Sequence, residues 1–509
     1  MYSKVFTCVL LGLDGSLIEV ECDLSRGLPM FTIVGLPDTA IKESKERVRT
    51  AIKNSGYEFP LSRITINLAP ANLKKDGSQI DLAIAIGILV ACGNVSNAKT
   101  SDTLFIGELS LDGNVNKING ALPMVISMRE TGIKRCIIPS GNKEECSIIE
   151  DIDIIPVENL LELTQYLNGE IDIKPYKSID EDLIDSNEEV EFDFADIKGQ
   201  EGLKRAMEIS AAGSHNIIII GPPGSGKTMA ARRIPGILPQ LNFEESIEVT
   251  KLYSISGLLE NNRLIKERPF RAPHHSSSGV SIIGGGRIPR PGEVSLAHHG
   301  VLFFDELPEF QKNVLEILRQ PLEDGFVQIS RASASLIFPS DFMFVASMNP
   351  CPCGFFGDPL HQCTCTQGQI DKYLGKISNP LLDRIDLHIE VLPVKYDELN
   401  SISTAKSSKE IKTKVIKART IQENRFRGEK ILTNSQMSNK DIKKHCKLDS
   451  TSEKIMKNAF DKYRFSGRTF NKILKVARTI ADLDESENIN ENHLLEAIGY
   501  RSLDKKYWG

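Results

Sequence analysis

Aromatic residues are scarce in this sequence, at 6% of 509 positions with a single tryptophan, and cysteine is scarcer still, with ten in all. Ten thiols over such a length are too few for a disulfide-stapled scaffold. Four of them crowd into one short segment, which points to a metal in a reducing compartment. Long hydrophobic runs are missing as well: the longest, Ile80 to Cys92, is interrupted by Asp81 and is too short to span a bilayer. Met1 to Leu11 offers one lysine and a small apolar patch in place of a signal-peptide core, so a cytoplasmic protein that stays off the membrane is expected. Nor is one sign of charge in excess: a net charge of -6 does not by itself announce a nucleic-acid binder.

What is present is an ordinary globular mixture, 40% hydrophobic and 26% charged, which speaks against wholesale disorder and against collagen-like or coiled-coil architecture. At roughly 100 to 200 residues per domain, the length predicts about three domains. The distribution of charge divides the chain. From Lys395 to Gly509 there are 25 Lys+Arg against 16 Asp+Glu, a net of +9, which leaves -15 for the remainder. Between Ile171 and Asp196 stand ten acidic residues against Lys174 and Lys177, with little aliphatic periodicity. That composition reads as a linker. The expected organisation is a module over 1–170, an acidic linker over 171–192, an α/β core over 193–393 and a basic helical region over 394–509.

In the first module, alternating apolar residues in Ser3 to Leu11, Leu17 to Cys22, Met30 to Val34 and Ile64 to Leu68 predict strands. Ile41 to Ser55, with spacing near 3.6 and Gly56 just beyond, predicts a helix, so an α+β unit is expected. Two segments, Lys75 to Leu82 and Phe105 to Gly113 leading to Ile118-Asn-Gly120, resemble the proteolytic domain of Lon-type proteases, an S5 domain 2-like fold. That resemblance places the nucleophile position on Gln79 and the base position on Leu122 or its neighbours. Glutamine cannot attack a carbonyl and leucine cannot accept a proton. Ser78 lies one residue away, but Ala121 to Val125 supplies no base. An inactive module used for binding or assembly is expected, its partner unspecified.

The core carries the chemistry. His215-Asn-Ile-Ile-Ile-Ile220 has the β-branched run of a buried parallel strand, and Gly221-Pro222-Pro223-Gly224-Ser225-Gly226-Lys227-Thr228 follows at once, a complete G-x-x-x-x-G-K-[ST]. Its glycines let backbone N–H groups close around phosphates, Lys227 brings a cation to the β- and γ-phosphates, and Thr228 offers a hydroxyl to Mg²⁺. ATP and Mg²⁺ are the expected ligands. Such a loop needs a carboxylate on a neighbouring strand, and Val301-Leu-Phe-Phe-Asp-Glu306 supplies one: Asp305 for the Mg²⁺ shell, Glu306 to orient and deprotonate the attacking water. A further strand, Phe342 to Ala346, leads to Asn349, whose amide is in place to position that water.

Directly after Asn349, Cys351-Pro-Cys353 and Cys363-Thr-Cys365 form two C-x-C pairs with nine residues between them. This is loop enough to bring four thiolates to one tetrahedral centre, and structural Zn²⁺ is its natural occupant. His361 is a possible substitute for one thiolate; two disulfides or free thiols are the other readings. Cys8, Cys22, Cys92, Cys136, Cys146 and Cys446 read as packing residues. His274, His275, His298 and His299 form two pairs whose spacing requires no metal, so hydrogen-bonding or interface roles are expected.

Arg271-Ala-Pro-His-His275, Gly284-Gly-Gly286, the run Arg290 to Glu306 and Asn379-Pro-Leu-Leu-Asp-Arg-Ile-Asp386 together resemble the YifB/ComM family of magnesium-chelatase-like AAA+ ATPases, and the resemblance covers nearly the whole chain. It implies a hexameric ring, with Asn349 as sensor 1, Arg384 as an arginine finger acting on the adjacent subunit's ATP, and Arg468 as sensor 2. A structural ion pair with Asp383 or Asp386 is the competing role for Arg384. Gly325 to Phe338 predicts a β-hairpin around Arg331 and Ala332, which in related motors points into the pore; a basic tip there can follow a phosphate backbone. Helical patterns at Lys409–Phe426, Ser452–Tyr463, Arg468–Asp482 and Asn490–Ile498 suggest a C-terminal lid. The family implies a DNA helicase that drives branch migration in recombination or natural transformation. The rivals are a chelatase-like protein-remodelling subunit and, further off, a Lon-type protease.

Overall fold

The structure is a computed structural model and describes residues 1–129, 131–177, 192–259, 263–286, 289–330, 335–359, 361–393, 406–429 and 431–508. The chain divides into two compact units, Met1–Asn187 with Ser246–Ile265, and Glu188–Glu245 with Lys266–Gly509. No helix among the described residues is long and apolar enough to cross a membrane.

The first unit is built on a seven-stranded mixed sheet in the order Met30–Val34, Arg63–Ala69, Asp14–Ser25, Tyr2–Leu11, Thr103–Phe105, Arg135–Pro139, Asp153–Val157. Tyr2–Leu11 pairs antiparallel with Asp14–Ser25 and parallel with Thr103–Phe105, so the sheet changes character at this strand. Val5 and Val9 pack into one apolar cluster and Cys8 into another, because both faces of the strand are covered. The apolar run noted in the sequence forms the helix Asp81–Cys92, and ten of its twelve residues are buried. It has no polar face to offer water, and Ser3 Oγ donates to Gly87 O at 2.6 Å across its contact with the sheet. Asp81, at its first turn, is buried against Ser44 and takes Arg47 Nε at 2.8 Å; burial raises its carboxyl despite those donors. Residues 246–265, expected in the core, belong to this unit instead: Ser254 Oγ donates to buried Glu145 at 2.7 Å, and Gly120 N–H donates to Ser254 O at 3.1 Å.

The second unit holds a five-stranded sheet in the order Phe270–Arg271, Val301–Phe304, Met343–Met348, Ile217–Ile220, Leu387–Glu390, every neighbouring pair parallel. Ile217 to Ile220 are wholly buried, and each such side chain contributes about 1.5–3 kcal/mol relative to exposure. Asn216, at the base of this strand, is a stitch. Its Nδ2 donates to Arg384 O at 2.9 Å, its Oδ1 accepts from Phe344 N at 2.8 Å, and its backbone N–H donates to Asp386 at 3.1 Å. Asp386 is buried; burial opposes its charge, but Lys472 at 2.7 Å and His215 at 3.4 Å prevail and hold the carboxyl well below the usual range.

The expected boundary near Pro393 is not a break in packing. Ile411, Val415 and Ala418 of the helix Ser408–Arg425, and Ile473, Ala477 and Ile480 of Gly467–Leu483, share one apolar cluster with Ile217, Ile219 and Val345. The helical patterns appear as Ser408–Arg425, Ser450–Tyr463, Gly467–Leu483 and Glu491–Gly499, the last with Asn490 as N-cap. Strands Phe326–Ser330 and Ser335–Pro339 pair antiparallel as the expected hairpin, while its tip, with Arg331 and Ala332, lies outside the described residues.

Candidate nucleotide site and four-cysteine knot

Gly221 leaves its strand with its N–H bonded to Met348 O at 3.1 Å, so the loop starts beside the end of the sensor strand. Gly224 and Gly226 take φ of 75° and 82°, the left-handed region where a side chain is strained, and the helix Lys227–Ala231 begins directly after. The Lys227 ammonium donates to Gly221 O at 2.7 Å, Pro222 O at 2.8 Å and Asn349 Oδ1 at 3.2 Å. Burial pushes this lysine down to about 8, against the attraction of Asp305 and Glu306. Thr228 Oγ1 donates to Asp305 Oδ2 at 2.7 Å, so the two expected Mg²⁺ ligands already face each other.

One expectation is corrected here. Asp305 is not on the strand next to the phosphate loop: Met343–Met348 lies between Ile217–Ile220 and Val301–Phe304. Asp305 and Thr228 meet across the end of that inserted strand, which contributes a residue the sequence reading missed. Ser347 Oγ donates to Asp305 Oδ1, and Glu306 N–H reaches both Asp305 Oδ1 at 3.1 Å and Ser347 Oγ at 3.4 Å. The signal was a small polar residue closing an apolar strand. Glu306 is exposed and sits at φ 54°, a left-handed conformation unusual for a side-chain-bearing residue and one found at sites where geometry is imposed. Tyr373 was also missed: it is buried near Asn349, and burial raises its pKa.

Lys227, Thr228, Asp305 and Asn349 thus converge at one rim of the sheet. Arg384 does not join them. It precedes the strand Leu387–Glu390, whose Leu387 pairs with Ile217 and Glu390 with Ile220, and so lies at the opposite rim. It pairs with Glu323 rather than with Asp383 or Asp386, and also donates to Pro380 O at 2.6 Å and Arg319 O at 3.1 Å. Burial lowers its pKa, and the cations of Arg319 and then Arg468 lower it further, so three guanidinium groups gather at this rim. Arg468 is exposed.

The four cysteines come together, with all their sulfurs within 4.8 Å of one another. His361 is not among them: its ring turns toward Asp358 at 3.8 Å and it is largely exposed. Cys8, Cys22, Cys136, Cys146 and Cys446 are buried as packing residues and Cys92 is partly so. The histidine pairs make ordinary hydrogen bonds, His274 Nδ1 to Ser276 Oγ at 2.7 Å and His298 Nδ1 from Asp341 N at 3.1 Å. In the first unit, Ser78 Oγ donates to Glu108, Gln79 Nε2 donates to Asp76 O at 2.9 Å, and Leu122 lies in an apolar cluster, an arrangement without a serine-activating base at the expected position.

Comparison with known proteins agrees with this picture. Three family models match: magnesium chelatase subunit ChlI over residues 193–399, subunit ChlI of Mg-chelatase over 20–142, and the ChlI C-terminal region over 405–501. The chain is 41% identical to competence protein ComM of Haemophilus influenzae, covering 98% of this chain and 97% of that protein. It is 40% identical to the uncharacterized protein YifB of Escherichia coli, covering 99% and 97%. The magnesium-chelatase 38 kDa subunit of Cereibacter sphaeroides is 24% identical over 39% of this chain and 58% of its own length. With a phosphate loop, Asp305 and Asn349 meeting at one edge of a parallel sheet, the chain belongs to the YifB/ComM family of magnesium-chelatase-like AAA+ ATPases.

Proposed function

We propose that the protein is an ATP-hydrolysing ring motor, a homo-hexamer that acts on single-stranded or branched DNA in recombination or natural transformation. The observation that carries the ATPase reading is the convergence of Lys227, Thr228, Asp305 and Asn349 at one rim of the parallel sheet. Backbone N–H groups between Gly224 and Thr228 bind the phosphates, and Lys227 moves from the loop carbonyls to the phosphate oxygens. Thr228 and Asp305 hold Mg²⁺, which when bound neutralises charge on the β- and γ-phosphates. Glu306 accepts a proton from the attacking water and Asn349 orients it. Arg384 of an adjacent copy stabilises charge at the γ-phosphate, with Arg468 as sensor 2. The C-terminal helices serve as the lid of this site, the four cysteines hold Zn²⁺, and the N-terminal unit is a Lon-like module retained for binding or assembly, in a cytoplasmic protein.

The DNA part rests on the net +9 of the C-terminal region, the paired strands that flank Arg331 in the sequence, and the likeness to ComM. The test is an ATPase titration with single-stranded, duplex and branched DNA at several salt concentrations. Stimulation that fades steeply with ionic strength is expected, because phosphate contacts release counterions. A rate indifferent to every DNA would remove nucleic acid as the substrate and favour protein remodelling, the reading supported by the likeness to a magnesium-chelatase subunit.

A further inference from the structure

The four-cysteine knot reaches the nucleotide site by two routes. Its geometry is that of a metal-thiolate centre. The sulfurs of Cys351, Cys353 and Cys363 lie 3.3, 3.6 and 3.7 Å from one another, and Cys353 N–H donates to Cys365 Sγ at 3.4 Å. A tetrahedron with metal–sulfur bonds of about 2.3 Å has edges of about 3.8 Å, whereas a disulfide needs about 2.05 Å. With His361 turned away, the donor set is four soft sulfurs, which selects Zn²⁺ over harder cations.

The first route runs along the chain: Asn349, whose side chain accepts from Lys227, stands two residues before Cys351. The second runs through space. Gly354, inside the knot at φ +86°, lies so close to the phosphate loop that a methyl group there would meet Pro223 Cδ at 2.5 Å and Cγ at 2.8 Å. Backbone of the knot therefore forms the wall against which Pro223 rests. Further along, Gly357 comes near Lys506, which is paired with Glu390 at 2.6 Å on the strand beside the phosphate-loop strand.

We propose that Zn²⁺ bound by Cys351, Cys353, Cys363 and Cys365 sets the conformation of the phosphate loop, through Gly354 against Pro223 and through Asn349, so that nucleotide affinity follows metal occupancy. The inference rests on the nucleotide reading of the loop. Without the metal, the loop from Cys351 to Cys365 loses the link that draws its two C-x-C pairs together. The wall behind Pro223 then moves.

The test uses the full-length protein, with metal content measured by mass spectrometry, Co²⁺ substitution read from its thiolate charge-transfer bands, and affinity measured with a fluorescent ATP analogue. One Zn²⁺ per chain is expected. A Cys363→Ser/Cys365→Ser variant should lose the metal and weaken analogue binding about tenfold or more. Gly354→Ala should keep the metal yet weaken binding severalfold, because only the wall has moved. Removing Zn²⁺ from the unmutated protein with a chelator and restoring it should lower and recover affinity reversibly, which separates the effect from a folding defect. A zinc-free wild-type protein, or unchanged affinity after chelation, would overturn the proposal, as would a Gly354→Ala protein that binds the analogue normally. A Lys227→Ala protein that binds the analogue as tightly as wild type would instead defeat the nucleotide reading itself.

Discussion

The two rims of the five-stranded sheet differ in chemistry. One gathers a lysine, a threonine hydroxyl, a carboxylate and an amide around the phosphate loop; the other gathers Arg384 beside Arg319 and Arg468. Between them run the four residues Ile217 to Ile220, about 13 Å at roughly 3.3 Å per residue before any loop is counted. A guanidinium tied to Glu323, Pro380 and Arg319 is held at the far rim, away from the phosphate loop of its own chain. On the function proposed above, the comparison teaches that one chain would carry both halves of a site that two chains complete. Two copies related by a two-fold axis through either rim would set like against like, so the proposed assembly calls for head-to-tail pairing, the kind that closes into rings.

The largest effect expected from breaking this division is at Arg384. Arg384→Ala should lower turnover about 10³-fold or more while leaving ATP binding intact, as arginine fingers do. Mixing it with Glu306→Gln chains should restore part of the rate, because some seams then pair a sound Glu306 with a sound Arg384; a fall in each chain's own nucleotide affinity would place the arginine in cis. Next, Glu306→Gln should cut hydrolysis about 10²- to 10⁴-fold and trap ATP, seen as stable assemblies in analytical ultracentrifugation. Smaller is the pH effect at Lys227. Its ammonium is the form that binds phosphate, and in the free protein it loses its proton near 8. Affinity should therefore hold below pH 8 and fall by up to about tenfold per pH unit above it, read by titration calorimetry. The smallest is Ser347→Ala, which removes one hydrogen bond to Asp305 and should weaken Mg²⁺-dependent activation about fivefold, near 1 kcal/mol.

The phosphate loop and the Asp305–Glu306 pair were legible because their chemistry is contiguous: strand, turn and charged residue follow one another in sequence. Strand order was not. Nothing in Phe342 to Ala346 says that it inserts between the strands bearing Lys227 and Asp305, since a buried parallel strand looks alike wherever it sits. For the same reason Ser347, Tyr373 and the contact of Gly354 with Pro223 escaped notice; each depends on register between segments far apart in the chain. The competing role for Arg384, an ion pair with its sequence neighbours Asp383 or Asp386, gives way to a pair with Glu323, while Asp386 faces inward to Lys472. The helix Asp81–Cys92 shows the limit of periodicity: its length could be read from the apolar run, but a segment buried all round has no face to predict. Residues 246–265 were assigned by their place in the chain, whereas Ser254 and its partners Glu145 and Gly120 decide where they pack.

Asn216 gives the sheet a mechanical property. By holding Arg384 O with one end of its amide and Phe344 N with the other, it clamps the arginine loop to the base of the strand that ends near Asn349. A pull on the Arg384 loop is therefore passed to the strand Met343–Met348 and along it toward the amide that meets Lys227, without any loop having to unfold.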